Sequence, residues 1–428
     1  MSRTSPKRGR RRCGHRGTRD NRAGDSARCQ GIDTSARARP NRRAMLDFTF
    51  TPEQHDLART LRTFARRELA PRSRGGDQSG EVPRELWQRM GELGLFGFRV
   101  PLEYGGLGTD LVTVGVAMEE IARGDFSSTY GIQLAALAGD ILAGAGSVDV
   151  KKRWLPSLVS GDAIIALALT EPGVGSDAGN LACRAERDGD DYVLIGEKSG
   201  ISLGMAAHAA IVFARTEAGT RARGITAFLV DLAWPGVARN RLRDLGTRAI
   251  GRAVLAFDHV RVPASHRLGD EGSGFYRVMR GFDYNRCLIS LACLGVAAVS
   301  LEETMAYVKQ RHAFGRTLAQ FEGVSFPIAE AATHVDAARW LCYRGLWLAD
   351  RGEPHTKEAA MVKWWTPKLA ADVVHQCLLL HGHYGYTDEL PFEQRLRDVI
   401  GLEIGDGTAE VMKMIVAREL MGRESLPY

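Results

Sequence analysis

The chain has 428 residues, of which 44% are hydrophobic and 25% charged, with a formal net charge of +6. This composition is typical of a globular protein with two or three domains, and we find no apolar window long enough to predict a membrane span. The charge is concentrated at one end: residues 1–44 hold 14 Lys and Arg against three Asp, a net of +11, which leaves −5 for the remainder and argues against a nucleic-acid partner for that part.

The seven cysteines are scattered, and none belongs to a C-x-x-C motif. Their odd number and spacing favour reduced thiols over a disulfide framework or a zinc site. No signal-peptide pattern is present. The sequence therefore predicts a cytoplasmic protein.

Residues 1–44 form a basic segment without apolar periodicity, which predicts disorder. Three interpretations compete: an extension upstream of a natural start at Met45, a disordered or targeting tail, and a nucleic-acid-binding arm. The segment has no interleaved aromatic residues for base stacking and too few large apolar residues for an amphipathic transit peptide. The first interpretation is favoured.

Residues 45–162 are predicted to form a helical domain. Thr51, Pro52 and Gln54 make a helix-start pattern with a capping box, and apolar residues then mark one buried face. A second helix is expected over Glu85–Leu95. Gln133 is expected to serve helix packing, or to face a pocket.

Residues 163–272 change to the short apolar runs of β-strands. Five strands are predicted: Ile164–Leu169, Tyr192–Ile195, Ala209–Ala214, Thr226–Val230 and Arg252–Phe257. Between the first two lies T-E-P-G-V-G-S-D, in which Gly173 and Gly175 allow backbone N–H groups to approach a phosphate. This loop is not the G-x-G-x-x-G pattern that opens a helix after a strand, so a Rossmann domain is excluded.

Residues 273–428 are predicted to be helical. Long apolar patterns over Gly274–Tyr307, Phe326–Arg351 and Glu358–His381 are consistent with a four-helix bundle. Three histidines follow closely, at His375, His381 and His383. No carboxylate or thiolate accompanies them at ligand spacing, so no metal site is predicted.

The stretch G-L-E-I-G-D-G-T-A-E-V-M-K, residues 401–413, places the carboxylate of Asp406 between two glycines just before a helix. Gly405 and Gly407 are expected to take the unusual backbone angles that aim this carboxylate into a cleft. The helix dipole is expected to keep the carboxylate ionised, as a general base requires. The alternative is that Asp406 merely caps the helix, although Thr408 is also a good cap.

Several of these motifs resemble the acyl-CoA dehydrogenase family. They are T-E-P-G-V-G-S-D with G-E-K-S-G-I-S at residues 196–202, F-A-R-T at 213–216, R-H-A-F-G at 311–315, and I-G-D-G-T at 404–408. The resemblance runs from Met45 to the C-terminus in the family's order. It implies an α+β multidomain fold with a helical N-terminal domain, a β-barrel-like middle domain and a C-terminal four-helix bundle that builds a homotetramer.

The resemblance also implies FAD as cofactor, an acyl-CoA substrate, an electron-transfer flavoprotein as acceptor, and Asp406 as the catalytic base. Implied substrate contacts are Ser176, Asp283, Arg286 and Gly407, with an ion pair as the alternative role of Arg286. Implied cofactor contacts, some of them to the FAD of a neighbouring subunit, are Leu169, Thr170, Gly175, Ser176, Gly200, Ser202, Arg311, Phe314, Glu322, Leu379, His383, Thr408 and Glu410.

This chain departs from the family at several of these positions. Most relatives have Glu where Asp406 stands, and the loss of one methylene retracts the base by about 1.5 Å. Gly200 replaces a tryptophan that usually covers the flavin, and Glu322 and Leu379 replace glutamines. A retracted base suits a bulky α-branched acyl group, and the pattern is most similar to the branch that desaturates cyclohexanecarboxyl-CoA to cyclohex-1-ene-carboxyl-CoA.

Alternatives remain within and beyond this activity. One is a dehydrogenase of short or branched-chain acyl-CoA. A second is an oxidase of the same fold with an Asp base, such as nitroalkane oxidase. A third is a flavoprotein that mainly binds nucleic acid, which the net charge of −5 outside residues 1–44 disfavours.

Overall fold

The computed structural model describes residues 49–425. The predicted basic extension, residues 1–44, and the proposed start at Met45 lie outside the described residues, so both stay predictions. Of the seven cysteines, five lie within the described part, and all five are free and buried.

Six helices form the N-terminal part. The first begins after a Thr51–Gln54 capping box, in which Thr51 N donates to Gln54 Oε1 over 3.0 Å and Gln54 N to Thr51 Oγ1 over 3.2 Å, as predicted. It continues through a π-helical turn, Ala65–Leu69, into the second. The helices are α1 Pro52–Phe64, α2 Ala70–Ser79, α3 Arg84–Glu92, α4 Leu111–Ala122, α5 Thr129–Ala145 and α6 Val148–Ser160.

The middle part is an eight-stranded sheet in the order β6-β7-β3-β2-β4-β5-β8, with β1 parallel to β4. Its strands are β1 Ile165–Ala168, β2 Arg184–Asp188, β3 Asp191–Ile201, β4 Ala209–Arg215, β5 Ile225–Asp231, β6 Val237–Arg241, β7 Ala253–Val262 and β8 Arg267–Leu268. The five predicted strands are present. The sequence missed β2, β6 and β8, because β2 and β6 are mostly polar and β8 has only two residues.

Five helices and a small hairpin form the C-terminal part. The helices are α7 Gly274–Gln310, α8 Glu322–Asp350, α9 Thr356–Leu380, α10 Phe392–Ile404 and α11 Ala409–Met421, and the hairpin is β9 His312–Ala313 with β10 Arg316–Thr317. Helix α7 packs against α8, α9 and α4, so it joins the bundle to the N-terminal helices. The α+β architecture predicted from the sequence is confirmed, while α10 was not predicted as a separate helix.

Helix α7 contains an apolar stretch that was not recognised from the sequence as long enough to span a membrane. An 18-residue window within it has a mean hydropathy of 1.6, which is apolar enough to cross a membrane by length and composition. The expectation that no window approaches this value is therefore wrong. In the structure 83% of that window is buried within the protein, which identifies α7 as a core helix.

Candidate active site

A cleft of about 830 Å³ lies where the N-terminal helices, the sheet and the C-terminal helices meet. Its walls come from α5, the β1–β2 loop, the end of β3, α7 and the α10–α11 loop. The cleft brings together ten of the residues predicted to bind or react: Leu169, Thr170, Gly175, Ser176, Gly200, Ser202, Arg286, Asp406, Gly407 and Thr408. It also contains Gln133, so the sequence correctly named a pocket as one of the two places for this side chain.

Asp406 lies in the loop between α10 and α11 with a positive φ of 57°, a conformation that non-glycine residues rarely adopt. Gly407 also has a positive φ, 108°, whereas Gly405 is ordinary extended backbone with φ −62°. The sequence placed the unusual angles on the two glycines. The structure instead places them on Asp406 and Gly407, so the carboxylate itself occupies the strained position.

Thr408, not Asp406, caps the last helix. The Thr408 side chain accepts a hydrogen bond from Val411 N over 3.4 Å, and α11 begins at Ala409. The interpretation of Asp406 as a helix cap is therefore wrong. Two residues separate its backbone from the helix proper, which leaves the carboxylate free for another task.

The electrostatic environment of Asp406 also differs from the prediction. Burial raises the pKa of the Asp406 carboxyl above its usual value, and the cations Lys363, Arg286 and Arg252 partly counter that rise. Burial and these three cations are the causes that the structure identifies, and the expected contribution of the helix dipole stays a prediction. A carboxyl with a raised pKa is closer to the value that suits a general base near neutral pH.

Two α7 side chains hold the base. Asn285 Nδ2 donates to Asp406 Oδ2 over 3.2 Å, and Arg286 Nε donates to the Asp406 carbonyl oxygen over 3.3 Å. The Asp406 backbone N–H, by contrast, has no acceptor among residues 49–425. Since unpaired N–H groups are costly when desolvated, this one is available for a ligand oxygen.

Asp283 does not line the cleft. Its carboxylate accepts from Arg286 Nη1 over 2.8 Å and from Thr356 Oγ1 over 2.7 Å. The ion-pair alternative for Arg286 is therefore present, and it coexists with the position of Arg286 on the cleft wall. Asp283 thus contacts a cleft residue, Arg286, and its own predicted contact with the substrate stays a prediction.

A buried ion pair holds the glycine-rich loop to the sheet. Lys198 on β3, with none of its surface exposed, donates to Glu171 Oε1 over 2.7 Å and to the Leu169 carbonyl over 2.9 Å. The Glu171 carboxylate also accepts from Ala182 N at 2.7 Å and Cys183 N at 3.0 Å. Both ends of the loop are thereby fixed at one carboxylate, a role that the sequence did not reveal.

The cleft fits a ligand that carries phosphates and hydroxyls. The side chains of Thr170, Ser176 and Ser202 line it without a hydrogen-bond partner among the described residues. A Cβ built on Gly175 or Gly200 would meet no atom within 4 Å, so both positions leave room for a large group. FAD is such a group, and the contacts predicted between these residues and FAD fit their places in the cleft.

Six other predicted cofactor residues lie outside the cleft. They are all exposed: Arg311, Phe314, Glu322, Leu379, His383 and Glu410. Phe314 is 95% exposed and has a positive φ of 51°. A single chain does not bring these residues to its own cleft, and their roles stay predictions.

The histidines near the end of α9 have separate environments. His381 is buried, its ring stacked 4.3 Å from that of Tyr307, with Nδ1 2.8 Å from the Cys377 carbonyl oxygen. His375 and His383 are exposed. Within residues 49–425, no group of three or more His, Cys, Asp or Glu side chains is arranged to hold a metal ion.

Three polar groups near Asp406 were missed by sequence reasoning. Asn285 lies on α7 next to Arg286. Lys363 on α9 donates to the carbonyls of Leu402 and Gly407. Arg252, just before β7, lines the cleft and pairs with Asp244 over 3.3 Å. Each is distant in sequence from Asp406, and no local sequence pattern indicates that it lies near this residue.

Comparison with known proteins defines the class of this fold and site. The acyl-CoA dehydrogenase N-terminal, middle and C-terminal domains match residues 51–162, 166–260 and 272–421. Bovine mitochondrial short-chain specific acyl-CoA dehydrogenase (Bos taurus) is 38% identical over 374 residues, 86% of this chain and 90% of its own length. The chain belongs to the acyl-CoA dehydrogenase family.

Solved structures agree with this assignment. Butyryl-CoA dehydrogenase from Megasphaera elsdenii has a TM-score of 0.85 and 32% identity, covering 88% of this chain and all of that one. A chain in a structure described as the electron transferring flavoprotein of Acidaminococcus fermentans has a TM-score of 0.84 and 31% identity, with the same coverage. The protein is an FAD-dependent oxidoreductase that dehydrogenates acyl-CoA.

Proposed function

We propose that the protein removes two hydrogens from the α- and β-carbons of an alicyclic or α-branched acyl-CoA, with cyclohexanecarboxyl-CoA as the preferred substrate. The observation that carries this proposal is the aspartate at position 406. Its carboxylate faces the cleft from a strained loop and is one methylene, about 1.5 Å, shorter than glutamate. A shorter base leaves room for a ring at the α-carbon.

Asp406 removes the α-proton. The developing negative charge on the thioester oxygen needs hydrogen-bond donors, and the unpaired Asp406 N–H is one that the chain supplies itself. When bound, FAD supplies the acceptor for the hydrogen that leaves the β-carbon. Arg286 holds the Asp406 carbonyl, so the N–H and carboxylate keep a fixed relation during proton transfer.

The apolar part of the cleft supports a short, wide acyl group. Leu134 and Leu137 from α5 and Met279 and Phe282 from α7 line it. The two helices approach so closely that a Cβ on Gly281 would lie 2.8 Å from Leu137 Cδ2. A compact ring suits the space beside two such closely packed helices better than a long straight chain.

Anaerobic flavin reduction tests the substrate. Cyclohexanecarboxyl-CoA should bleach the flavin faster than isobutyryl-, 2-methylbutyryl- or butyryl-CoA, and Asp406→Glu should shift the preference towards butyryl-CoA because the base reaches further. Faster bleaching by butyryl-CoA in the unmodified enzyme would refute the alicyclic assignment.

We also propose a homotetramer and an electron-transfer flavoprotein as electron acceptor, in the cytoplasm. The six exposed cofactor residues support the assembly, since they serve a flavin only if a second copy of the chain places them there. Similarity to a chain from the Acidaminococcus fermentans structure supports the acceptor. Light scattering of the holoenzyme and reduction of a purified electron-transfer flavoprotein test the two statements separately.

An oxidase is the second candidate, and Gly200 favours it. No atom lies within 4 Å of a Cβ built there, so the cleft is open to a small molecule such as oxygen. An oxidase would form hydrogen peroxide rapidly in air without any other acceptor. The dehydrogenase assignment predicts slow peroxide formation and fast transfer to the flavoprotein acceptor.

A further inference from the structure

Lys363 is a buried lysine near the base with an unusual set of partners. Only 1% of its surface is exposed, and its ammonium donates to the carbonyls of Leu402 over 2.6 Å and Gly407 over 2.9 Å. Within residues 49–425, no carboxylate pairs directly with it. A buried ammonium is costly, so one held only by two carbonyl dipoles calls for a functional reason.

The two carbonyls lie on either side of Asp406. Leu402 belongs to the last turn of α10, and Gly407 directly follows the base. The ammonium therefore fastens both sides of the loop to α9. A residue at an unfavourable φ persists only when its surroundings over-determine it, and Asp406, with φ 57°, is such a residue.

The same ammonium is a fixed positive charge beside the carboxylate. Among the groups that counter the burial of Asp406, Lys363 is the foremost, ahead of Arg286 and Arg252. Burial lowers the pKa of Lys363 to about 8, while the Asp406 charge opposes that fall. The two carbonyl oxygens that accept from this nitrogen also favour its protonated form.

Other charged or titratable groups face this pair from every neighbouring element. They are Arg286 and Cys293 on α7, Arg252 just before β7, Glu403 on α10 and Tyr130 on α5. On α11, Glu410 and Lys413 are exposed. Arg286 is already neutralised by Asp283 and Arg252 by Asp244, whereas Lys363 has no carboxylate partner in the part of the chain that the structure describes.

We propose that Lys363 is a positioning residue that clamps the Asp406 loop to α9 and supplies the counter-charge that keeps the Asp406 carboxylate ionised. This proposal rests on Asp406 being the catalytic base. Lys363 does not touch the substrate, because its ammonium points to the two carbonyls behind the loop.

Three substitutions separate the charge from the clamp. Lys363→Met removes both, Lys363→Gln keeps a donor without the charge, and Lys363→Arg keeps the charge. The matched control is Lys368→Met, which removes an exposed ammonium on the same helix that pairs with Asp372. FAD content and thermal melting establish that each variant is folded, and Lys363→Gln carries the test if Lys363→Met is not.

The first measurement is the pH profile of kcat/KM for flavin reduction in the holoenzyme. Loss of an opposite charge should move the acid limb to higher pH by about one unit or more in the Met and Gln variants. The limb should stay in place in Lys363→Arg and Lys368→Met. A uniform loss of rate at every pH, with no shift in the neutral variants, would show that Lys363 is merely structural.

The second measurement needs no turnover. The carboxyl signal of Asp406, assigned by its loss in Asp406→Asn, can be titrated by carbon-13 NMR in aspartate-labelled holoenzyme. It should titrate at higher pH in Lys363→Gln than in the unmodified protein. A normal rate in Asp406→Asn would overturn this proposal together with the proposed function. If Asp406→Asn is inactive but the Asp406 carboxyl titrates at the same pH in Lys363→Gln as in the unmodified protein, only the role of Lys363 is overturned.

Discussion

The amide nitrogen of Asn285 lies 3.2 Å from Asp406 Oδ2, while the amide oxygen of the same side chain has no hydrogen-bond partner among residues 49–425. Asn285 is fully buried, so an unpaired oxygen there is costly. The donated hydrogen bond favours the ionised carboxylate. Asn285 therefore stabilises the ionised Asp406 carboxylate, while its unpaired amide oxygen lowers the stability of the fold.

Asn285→Ala should make Asp406 a weaker acid. Without the donor, the pKa of Asp406 rises further, so the acid limb of the kcat/KM profile moves to higher pH. Asn240→Ala, at an exposed position of β6, is the control and should leave the limb unchanged. An Asn285→Ala enzyme with an unaltered limb would show that this hydrogen bond does not tune the base.

Lys198→Met should release the glycine-rich loop. The substitution leaves the Glu171 carboxylate buried without its cation, which should lower the unfolding free energy by about 3–5 kcal/mol. Because the loop lines the cleft, the purified protein should also retain less FAD. The control Arg184→Met breaks the exposed Arg184–Glu186 pair and should cost less than about 1 kcal/mol. Denaturant unfolding measures the loss of stability, and the flavin absorbance of purified protein measures the retained FAD. If Lys198→Met and Arg184→Met had equal effects on both, the buried pair would not be what holds the loop.

Asp398 should make stability depend on pH. Burial raises the pKa of this carboxyl to about 8, although the Thr247 N–H donates to it. Because the folded pKa lies above the unfolded value, the stability that the protonated form contributes is complete below about pH 4 and is lost as pH rises through about 8. Asp398→Asn keeps an acceptor for Thr247 and cannot ionise.

The melting temperature of Asp398→Asn, relative to the unmodified protein, should therefore increase from pH 5 to pH 9. Asp372→Asn, which removes an exposed carboxylate, should show no such trend. A difference for Asp398→Asn that stays constant over this range would mean that Asp398 is ionised in the folded protein throughout.

Short-range patterns predicted much of this molecule. The capping box at Thr51 and the apolar runs of β1, β4 and β5 were correct, because each rests on local chemistry. Strands β2 and β6 were missed because their residues are mostly polar, and their places in the sheet come from pairing with β3 and β7. Pairing of that kind leaves no periodic mark in the sequence.

The site was predicted only in part for the same reason. The two glycines identified Asp406, yet they did not reveal that the aspartate itself takes the positive φ. Asn285 is 121 positions from the base in sequence, and Lys363 stands in an apolar helix with nothing nearby to indicate its partners. Such contacts become visible only when α7, α9 and the α10–α11 loop are brought together.

The most direct test of the central claim is the rate of anaerobic flavin reduction by cyclohexanecarboxyl-CoA in Asp406→Asn, with Asp372→Asn as the control. Asparagine keeps the polar shape but cannot accept the α-proton, so FAD should remain bound while the rate falls by about 10²- to 10⁴-fold or more. The control should reduce its flavin at the normal rate. A near-normal rate in Asp406→Asn would contradict the assignment of this residue as the catalytic base.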